Sequence, residues 1–164
     1  DTIDELSVID ASELSAERAL DRDLAIHQAR LGIYWETEYR AWAGSSEAAG
    51  RLGEALFPLF TRDFAPLRDG WESTASPPEA APRFVAESRE RVTDPVRLWT
   101  EIDLQSTQMM PSFLDTILAA ARSESVDETL VDRLTKAAEA TKQTLEEHAA
   151  WLRGDVLPRA TPDW

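Results

Sequence analysis

The chain has 164 residues, enough for one ordinary domain, and its 43% hydrophobic and 29% charged residues are typical of a globular protein rather than a disordered one. Seventeen Lys and Arg against 31 Asp and Glu leave a formal charge of −14, so neither nucleic acid nor a membrane surface is an expected partner, although a cationic substrate or partner stays open. The absence of cysteine excludes disulfides, thiolate nucleophiles and sulfur-ligated zinc.

The first predicted element, Asp1 to Ser7, has the character of the last turns of a helix whose beginning is missing. Ser15 is a predicted N-cap, with Glu17 in the first turn where the helix dipole favours an anion. A long amphipathic helix is predicted over about 15–42, and Gly44 follows its end. Its apolar stripe is formed by Leu20, Leu24, His27, Leu31, Tyr34, Trp35, Glu38 and Trp42.

A second helical run starts near Glu47, and Pro58 and Pro66 are expected to divide it into two short helices. Its apolar positions are Leu52, Leu56, Leu59 and Phe60. Pro77-Pro78 predicts a firm break, followed by a short, strongly charged helix that ends near Thr93.

Asp94-Pro95 predicts the start of a further helix, because a capping acid precedes proline at the first helical position. That helix runs to about Arg122, with a kink at Pro111, and its apolar face is formed by Trp99, Ile102, Ser106, Met109, Phe113, Ile117 and Ala120. The last helix starts near Val126 and ends before Pro158 and Pro162, with a face formed by Leu130, Leu134, Ala137, Thr141, Leu145, His148 and Leu152.

No segment alternates apolar and polar residues as a strand does. The predicted fold class is all-α, an irregular multi-helix bundle with two long helices and one proline-kinked helix. Residues 1–164 are expected to form a single helical domain or sub-domain, a fragment of a larger chain.

Neither a membrane-spanning segment nor a signal peptide is predicted, since no stretch reaches ~18 apolar residues and no basic start precedes an apolar core. We favour a cytoplasmic location. Because the first residue is Asp1 and not Met, a chain trimmed at its N-terminus also fits, and the compartment of the parent protein stays open.

The two histidines do not have the spacing of metal ligands. A di-metal bundle site requires Glu three residues before His, but Leu24 precedes His27 and Leu145 precedes His148 at that distance. The zincin pattern of two histidines one turn apart is also absent. We therefore predict no metal ligand, no cofactor-binding residue and no cofactor within this segment.

Each histidine lies on the apolar stripe of a long helix, and two interpretations stay open. The first is a core-edge histidine that a neighbour satisfies, for example His27 with Asp23 one turn earlier. The second is a lining residue of an internal cavity. Glu38 slightly favours the cavity, because a buried carboxylate needs a partner or water.

Six tryptophans occur in the chain, and Trp35, Tyr39 and Trp42 crowd the end of the first long helix. Aromatic residues at helical spacing usually belong to a core. The alternative is an exposed aromatic wall that faces another domain. No nucleophile elbow, phosphate loop or dinucleotide fingerprint occurs, so no catalytic residue is predicted.

Several stretches resemble, in order, one bacterial family, the family catalogued as domain of unknown function 885. They are ELSAERALDRDLAIHQARLGIYWETEYRAW, ALFPLFTRDFAPL, APRFVAESRERVTDPVRLWTEIDLQS and WLRGDVLPRATPDW. The resemblance implies a parent protein of several hundred residues, largely helical and similar to zinc metallopeptidases, with its metal motif downstream of the matched region. No catalytic or metal residue is carried over, because this chain lacks those positions.

The resemblance thus implies a helical scaffold or substrate-channel portion of a metal-dependent, peptidase-like hydrolase that is inactive alone. Zinc is expected in the parent protein. The expected partners of this segment are the remainder of that chain and a peptide-like substrate. The rival hypothesis is a free-standing helical module that binds a protein partner through the aromatic end of its first long helix. A small all-helical enzyme is a third possibility.

Overall fold

The computed structural model describes residues 2–62 and 66–162, and helices form nearly all of its regular structure. Within these residues no strand occurs, and the β-type pairing is one isolated bridge between Val96 and Thr161. The predicted all-α, multi-helix architecture is confirmed. In chain order the α-helices are α1 (Thr2–Ser7), α2 (Ala16–Tyr34), α3 (Ala41–Gly44), α4 (Ala48–Thr61), α5 (Leu67–Arg91), α6 (Arg97–Ser123), α7 (Glu128–Trp151) and α8 (Leu157–Arg159).

Cα proximity divides the chain into two compact units, residues 1–41 and residues 42–164. Asp1 and the terminal Asp163-Trp164 pair, where the sequence predicted cut ends, lie outside the described residues. Of the helices described, none has both the length and the apolar character needed to cross a membrane.

The first unit contains the predicted long helix in a shorter form. Ser15 caps α2 as expected, since its hydroxyl accepts a hydrogen bond from the Arg18 amide at 3.4 Å. The α-helical hydrogen bonding ends at Tyr34 and passes into a π-helical turn over Trp35–Tyr39. Arg40 then adopts a left-handed conformation with φ 49°, which ends the helix before the predicted boundary.

Arg22 fixes the short α1 to α2. Its guanidinium donates to the carbonyl of Leu6 at 2.9 Å and to that of Ser7 at 3.3 Å. Ile26 is the buried residue of α2, and it lies about one turn along from Arg22. The face of α2 that α1 covers is therefore not the predicted apolar stripe.

The second unit is built from α4, α5, α6 and α7 packed around one apolar core. The core residues are Ala49, Leu52, Leu56, Trp71, Ala75, Ala81, Met110, Leu114, Ile117, Leu118, Ala121, Leu130, Leu134, Ala138 and Leu145. A smaller cluster of Val92, Leu152 and Val156 lies where α5 ends and α7 passes into a π-helical turn.

Prolines interrupt the helices less than the sequence predicts. The helix α4 continues through Pro58, but the division expected at Pro66 is confirmed, since α4 ends at Thr61 and α5 begins at Leu67. Because α5 runs through Pro77, Pro78 and Pro82, the predicted break at Pro77-Pro78 and the separate short helix after it are wrong. Pro82 has no amide hydrogen to donate to the carbonyl of Pro78, four residues earlier. The buried hydroxyl of Thr141 on α7 donates to that carbonyl at 2.9 Å, which replaces the missing bond from outside the helix.

The buried face of α6 is displaced by one residue from most of the predicted face, although Ile117 is buried as predicted. Ile102 and Met109, predicted to face the core, are 53% and 64% exposed, whereas Asp103 and two threonines are buried. Thr100 and Thr107 are buried at little cost because each hydroxyl donates to a backbone carbonyl one turn earlier in the same helix. The predicted kink position, Pro111, lies inside a helix that is continuous to Ser123.

The helix α6 also starts later than predicted, at Arg97 rather than at Pro95. Instead of capping, Asp94 donates its amide to the carbonyl of Ala43, and Val96 donates to that of Gly44, both at 3.0 Å. These bonds hold residues 94–96 beside the chain that leads into α4. The face predicted for the last helix is confirmed, since every one of its seven positions is buried.

Candidate functional site

Four polar side chains from four segments meet in the interior of unit 42–164. They are Ser46, between α3 and α4; Arg89, in the last turn of α5; Asp103 of α6; and His148, near the end of α7. His148 is 0% and Asp103 3% exposed, and Ser46 is buried as well. We call these four residues the buried relay.

The chain before α4 is shaped so that Ser46 points into this interior. Gly44 lies against the indole of Trp99, where an added Cβ would come within 2.6 Å of a ring carbon. Glu47 then adopts a left-handed conformation with φ 49°, which is costly for a residue other than glycine. Such strain persists where surrounding contacts determine the backbone, and the contacts of Ser46 do so here.

The relay is connected by three hydrogen bonds. Arg89 Nε donates to His148 Nδ1 at 3.0 Å, and His148 Nε2 lies 2.9 Å from Ser46 Oγ. Ser46 Oγ in turn donates to Asp103 Oδ2, which is 3.7 Å from His148 Nε2. A guanidinium cation and a carboxylate are thus connected through a histidine and a serine.

The donors fix the direction of these bonds. A guanidinium only donates, so Nδ1 of His148 must be the acceptor and must lack a proton. The proton of the neutral imidazole then lies on Nε2 and points toward Ser46 Oγ. Since that oxygen accepts from His148, the hydroxyl hydrogen of Ser46 is left for Asp103.

Ser46, His148 and Asp103 are the residue types of the Ser-His-Asp catalytic triad, but their hydrogen bonds follow a different pattern. In the triad, histidine Nε2 accepts the serine proton, and the aspartate accepts from Nδ1. Here Nε2 donates to serine, Nδ1 accepts from Arg89, and the aspartate bonds the serine instead. In this arrangement His148 cannot act as the base for Ser46, so the relay is suited to holding four segments together.

Two atoms at the ends of the relay have no hydrogen-bond partner among the described residues, namely Arg89 Nη2 and Asp103 Oδ1. Burial lowers the pKa of the Arg89 guanidinium from its ordinary value, and the charge of Glu147 opposes that effect. The guanidinium carbon lies 5.5 Å from the ring centre of Trp151, and the His148 ring packs on the same indole at 5.3 Å. This aromatic cover keeps the cationic end half-buried.

The two sequence-predicted histidines have different surroundings. His148 is a satisfied core histidine, as one of the two interpretations held. His27 is exposed beside a shallow depression, and Asp23, its expected partner, pairs with Arg22 at 2.8 Å. Its predicted place at the core edge is therefore wrong. Glu38 is exposed as well, which removes its support for an internal cavity.

The aromatic residues at the end of α2 do not belong to a core. Trp35 is 45% and Tyr39 is 40% exposed, and their rings meet edge to face at 4.5 Å. Trp42 is half-buried. The core interpretation is wrong for Trp35 and Tyr39, and their exposure favours the alternative of an aromatic wall.

The described residues do not suit a zinc ion. Among residues 2–62 and 66–162, no three His, Asp or Glu side chains lie close enough together to hold one. In addition, both ring nitrogens of His148 are already engaged, by Arg89 and by Ser46.

The fold is a helical bundle, and its unit 42–164 encloses the buried relay. The whole chain, residues 1–164, matches the family described as "Bacterial protein of unknown function (DUF885)". The protein belongs to this bacterial family. No curated protein matches the sequence.

One solved structure is similar in fold, described as "a putative lipoprotein of unknown function" from Shewanella oneidensis. It shares 19% sequence identity with this chain and superposes with a TM-score of 0.79 over 93% of it. The chain spans 28% of the length of that protein.

Sequence reasoning missed Ser46, Arg89 and Asp103 as partners of His148. One signal was present: His148 and Asp103 both recur at core spacing on their helices, and a buried carboxylate requires a partner. The segments that carry the four residues are far apart in sequence, and no spacing rule connects them.

Proposed function

We propose that this chain is a structural, helical portion of a longer bacterial protein and forms a wall of that protein's substrate channel. The observation that supports this role is the buried relay, whose hydrogen bonds connect α5, α6, α7 and the segment before α4. The long helices α5, α6 and α7 are fixed by it and by the apolar core, which gives the rigidity that a wall requires.

We further propose that the longer protein is a metal-dependent, peptidase-like hydrolase. The support for this part is the sequence resemblance. Zinc would polarise a peptide carbonyl and activate water, and its ligands would come from residues outside 1–164. The net charge of −14 would favour peptides with a free amino terminus or basic side chains.

The longer protein itself tests this proposal. Its zinc content, measured by elemental analysis, and its hydrolysis of a set of short peptides are the two readouts. We expect about one zinc per chain and peptide hydrolysis that chelators abolish. Metal-free protein without hydrolytic activity would contradict the hydrolase part.

A matched variant separates structure from chemistry. Ser46→Ala removes the hydroxyl in the centre of the relay, so the longer protein should lose stability but keep the turnover of its folded fraction. A loss of turnover in a fully folded Ser46→Ala protein would instead show that the Ser46 hydroxyl is needed for the chemistry and would contradict a purely structural role.

The second candidate, a free-standing interaction module, is favoured by the exposed rings of Trp35 and Tyr39. The reading frame around this segment distinguishes the two candidates. Stop codons close to both ends would support the module, and a histidine-glutamate metal motif in the same frame would support the hydrolase.

A further inference from the structure

The helix α2 carries an apolar face that α1 does not cover. Within the first unit, α1 and Ile26 occupy one side of α2, while five large side chains of α2 and of the first residue after it are exposed along the other. Their exposed fractions are 60% for Leu20, 49% for Leu24, 37% for Leu31, 49% for Tyr34 and 45% for Trp35. We call these five residues the α2 stripe.

The α2 stripe has one polar interruption, the exposed His27 between Leu24 and Leu31, and is suited to one elongated partner. From Leu20 to Trp35 it extends about 22 Å along the helix, which is the length of four turns. Its members are separated by four, seven, three and one residues, and at 3.6 residues per turn these spacings place them on a single face. Apolar surface grouped in this way marks an interaction site rather than an ordinary protein surface, on which such residues are scattered singly.

Charges beside the stripe indicate the chemistry of the partner. Glu17 and Asp21 are exposed, four residues apart, and border the N-terminal half of the stripe on one side. With 31 acidic against 17 basic residues, the surface as a whole is anionic. A partner segment with an apolar face and basic residues along its edge would complement both features.

We infer that the α2 stripe binds a segment of the same polypeptide that lies outside residues 1–164. The solved relative is long enough to supply such a segment, since this chain spans 28% of its length. An intramolecular partner also avoids the entropy cost of association between separate chains. The inference rests on the longer polypeptide of the proposed function, but not on its hydrolase chemistry.

Photo-crosslinking in the full-length protein tests this inference. A benzophenone amino acid replaces Leu24 in the stripe or, as the control, the exposed Ala25 on another face of the same helix. We expect Leu24 to crosslink within one polypeptide to peptides outside 1–164, and we expect that product to be lost at Ala25. If the Leu24 variant does not fold, Leu31 provides a second position in the stripe.

Other outcomes overturn the inference. They are a product of doubled mass, which indicates a second copy; crosslinks confined to residues 1–164; a crosslink to a different protein; equal products from Leu24 and Ala25; or no crosslink at either stripe position. A crosslink to the expected segment in a protein without zinc or hydrolysis would leave the inference intact and refute the hydrolase proposal.

Discussion

Replacing Thr141 with valine tests whether its hydroxyl compensates for Pro82 inside α5. The substitution keeps the branched shape of the side chain and removes the hydrogen bond to the carbonyl of Pro78, which is 2.9 Å long. The same hydroxyl also lies 2.8 Å from the carbonyl of Ala137, but within α7 that carbonyl is bonded by the amide of residue 141 itself. The cost therefore falls on the Pro78 carbonyl.

A buried carbonyl without a donor costs about 1–3 kcal/mol. We expect Thr141→Val to lower the free energy of unfolding by about that amount, which for a chain of this size is a decrease in Tm of roughly 2–10 °C. Urea unfolding followed by circular dichroism at 222 nm measures the change.

The matched control is Thr116→Val on α6. Thr116 is exposed, and its hydroxyl donates only to a carbonyl of its own helix, that of Ser112, at 3.0 Å. This variant should remain within about 0.5 kcal/mol of the parent. If Thr141→Val changes stability no more than Thr116→Val does, the explanation for the continuity of α5 is refuted.

Further predictions concern two glycines and a helix cap. Gly44→Ala should destabilise the protein by about 1–3 kcal/mol, because the added Cβ would meet the Trp99 ring at 2.6 Å. Gly50→Ala should instead stabilise α4 by about 0.5–1 kcal/mol, because the space around its Cβ position is open. Thermal unfolding of both variants compares them directly. Hydrogen bonds from the Thr129 side chain and backbone hold the pKa of Asp127 below its ordinary value. The ionised Asp127 carboxylate therefore stabilises the folded protein above pH ~4, and this stabilisation is lost as the pH falls. Asp127→Asn should remove that part of the acid dependence in unfolding curves measured between neutral and acidic pH, and an unchanged pH profile would contradict the assignment.

The sequence predicted the fold class and the last helix well, because α7 is amphipathic without interruption. Its buried face follows large apolar residues from Leu130 to Leu152, and a buried histidine and a buried threonine occur at the same spacing. In such a helix hydrophobic periodicity and the true core face coincide.

The errors on α5 and α6 have different physical origins, one in a contact between helices and the other in side chains that bond the backbone four residues earlier. On α5 the hydrogen bond that Pro82 cannot donate to the Pro78 carbonyl is replaced by the hydroxyl of Thr141, which belongs to another helix. On α6 the largest apolar residues indicated the wrong face, because Thr100 and Thr107 bury their hydroxyls against their own helix.

Periodicity identified the apolar stripe of α2, but it did not predict that this stripe is exposed. Periodicity shows which residues share a face, and it does not show whether a partner for that face lies within the same segment. The relay was unpredictable for another reason, since Ser46 and His148 are 102 residues apart and meet only through tertiary packing.

The proposal that this chain is a structural portion of a longer protein depends most directly on which nitrogen of His148 carries the proton. Long-range ¹H–¹⁵N NMR correlations of the imidazole distinguish the two tautomers near neutral pH. Because Arg89 donates to Nδ1, we expect the proton on Nε2, directed at Ser46. A proton on Nδ1 would contradict this account. Nε2 would then be free to accept the Ser46 proton, as the histidine of a catalytic triad does.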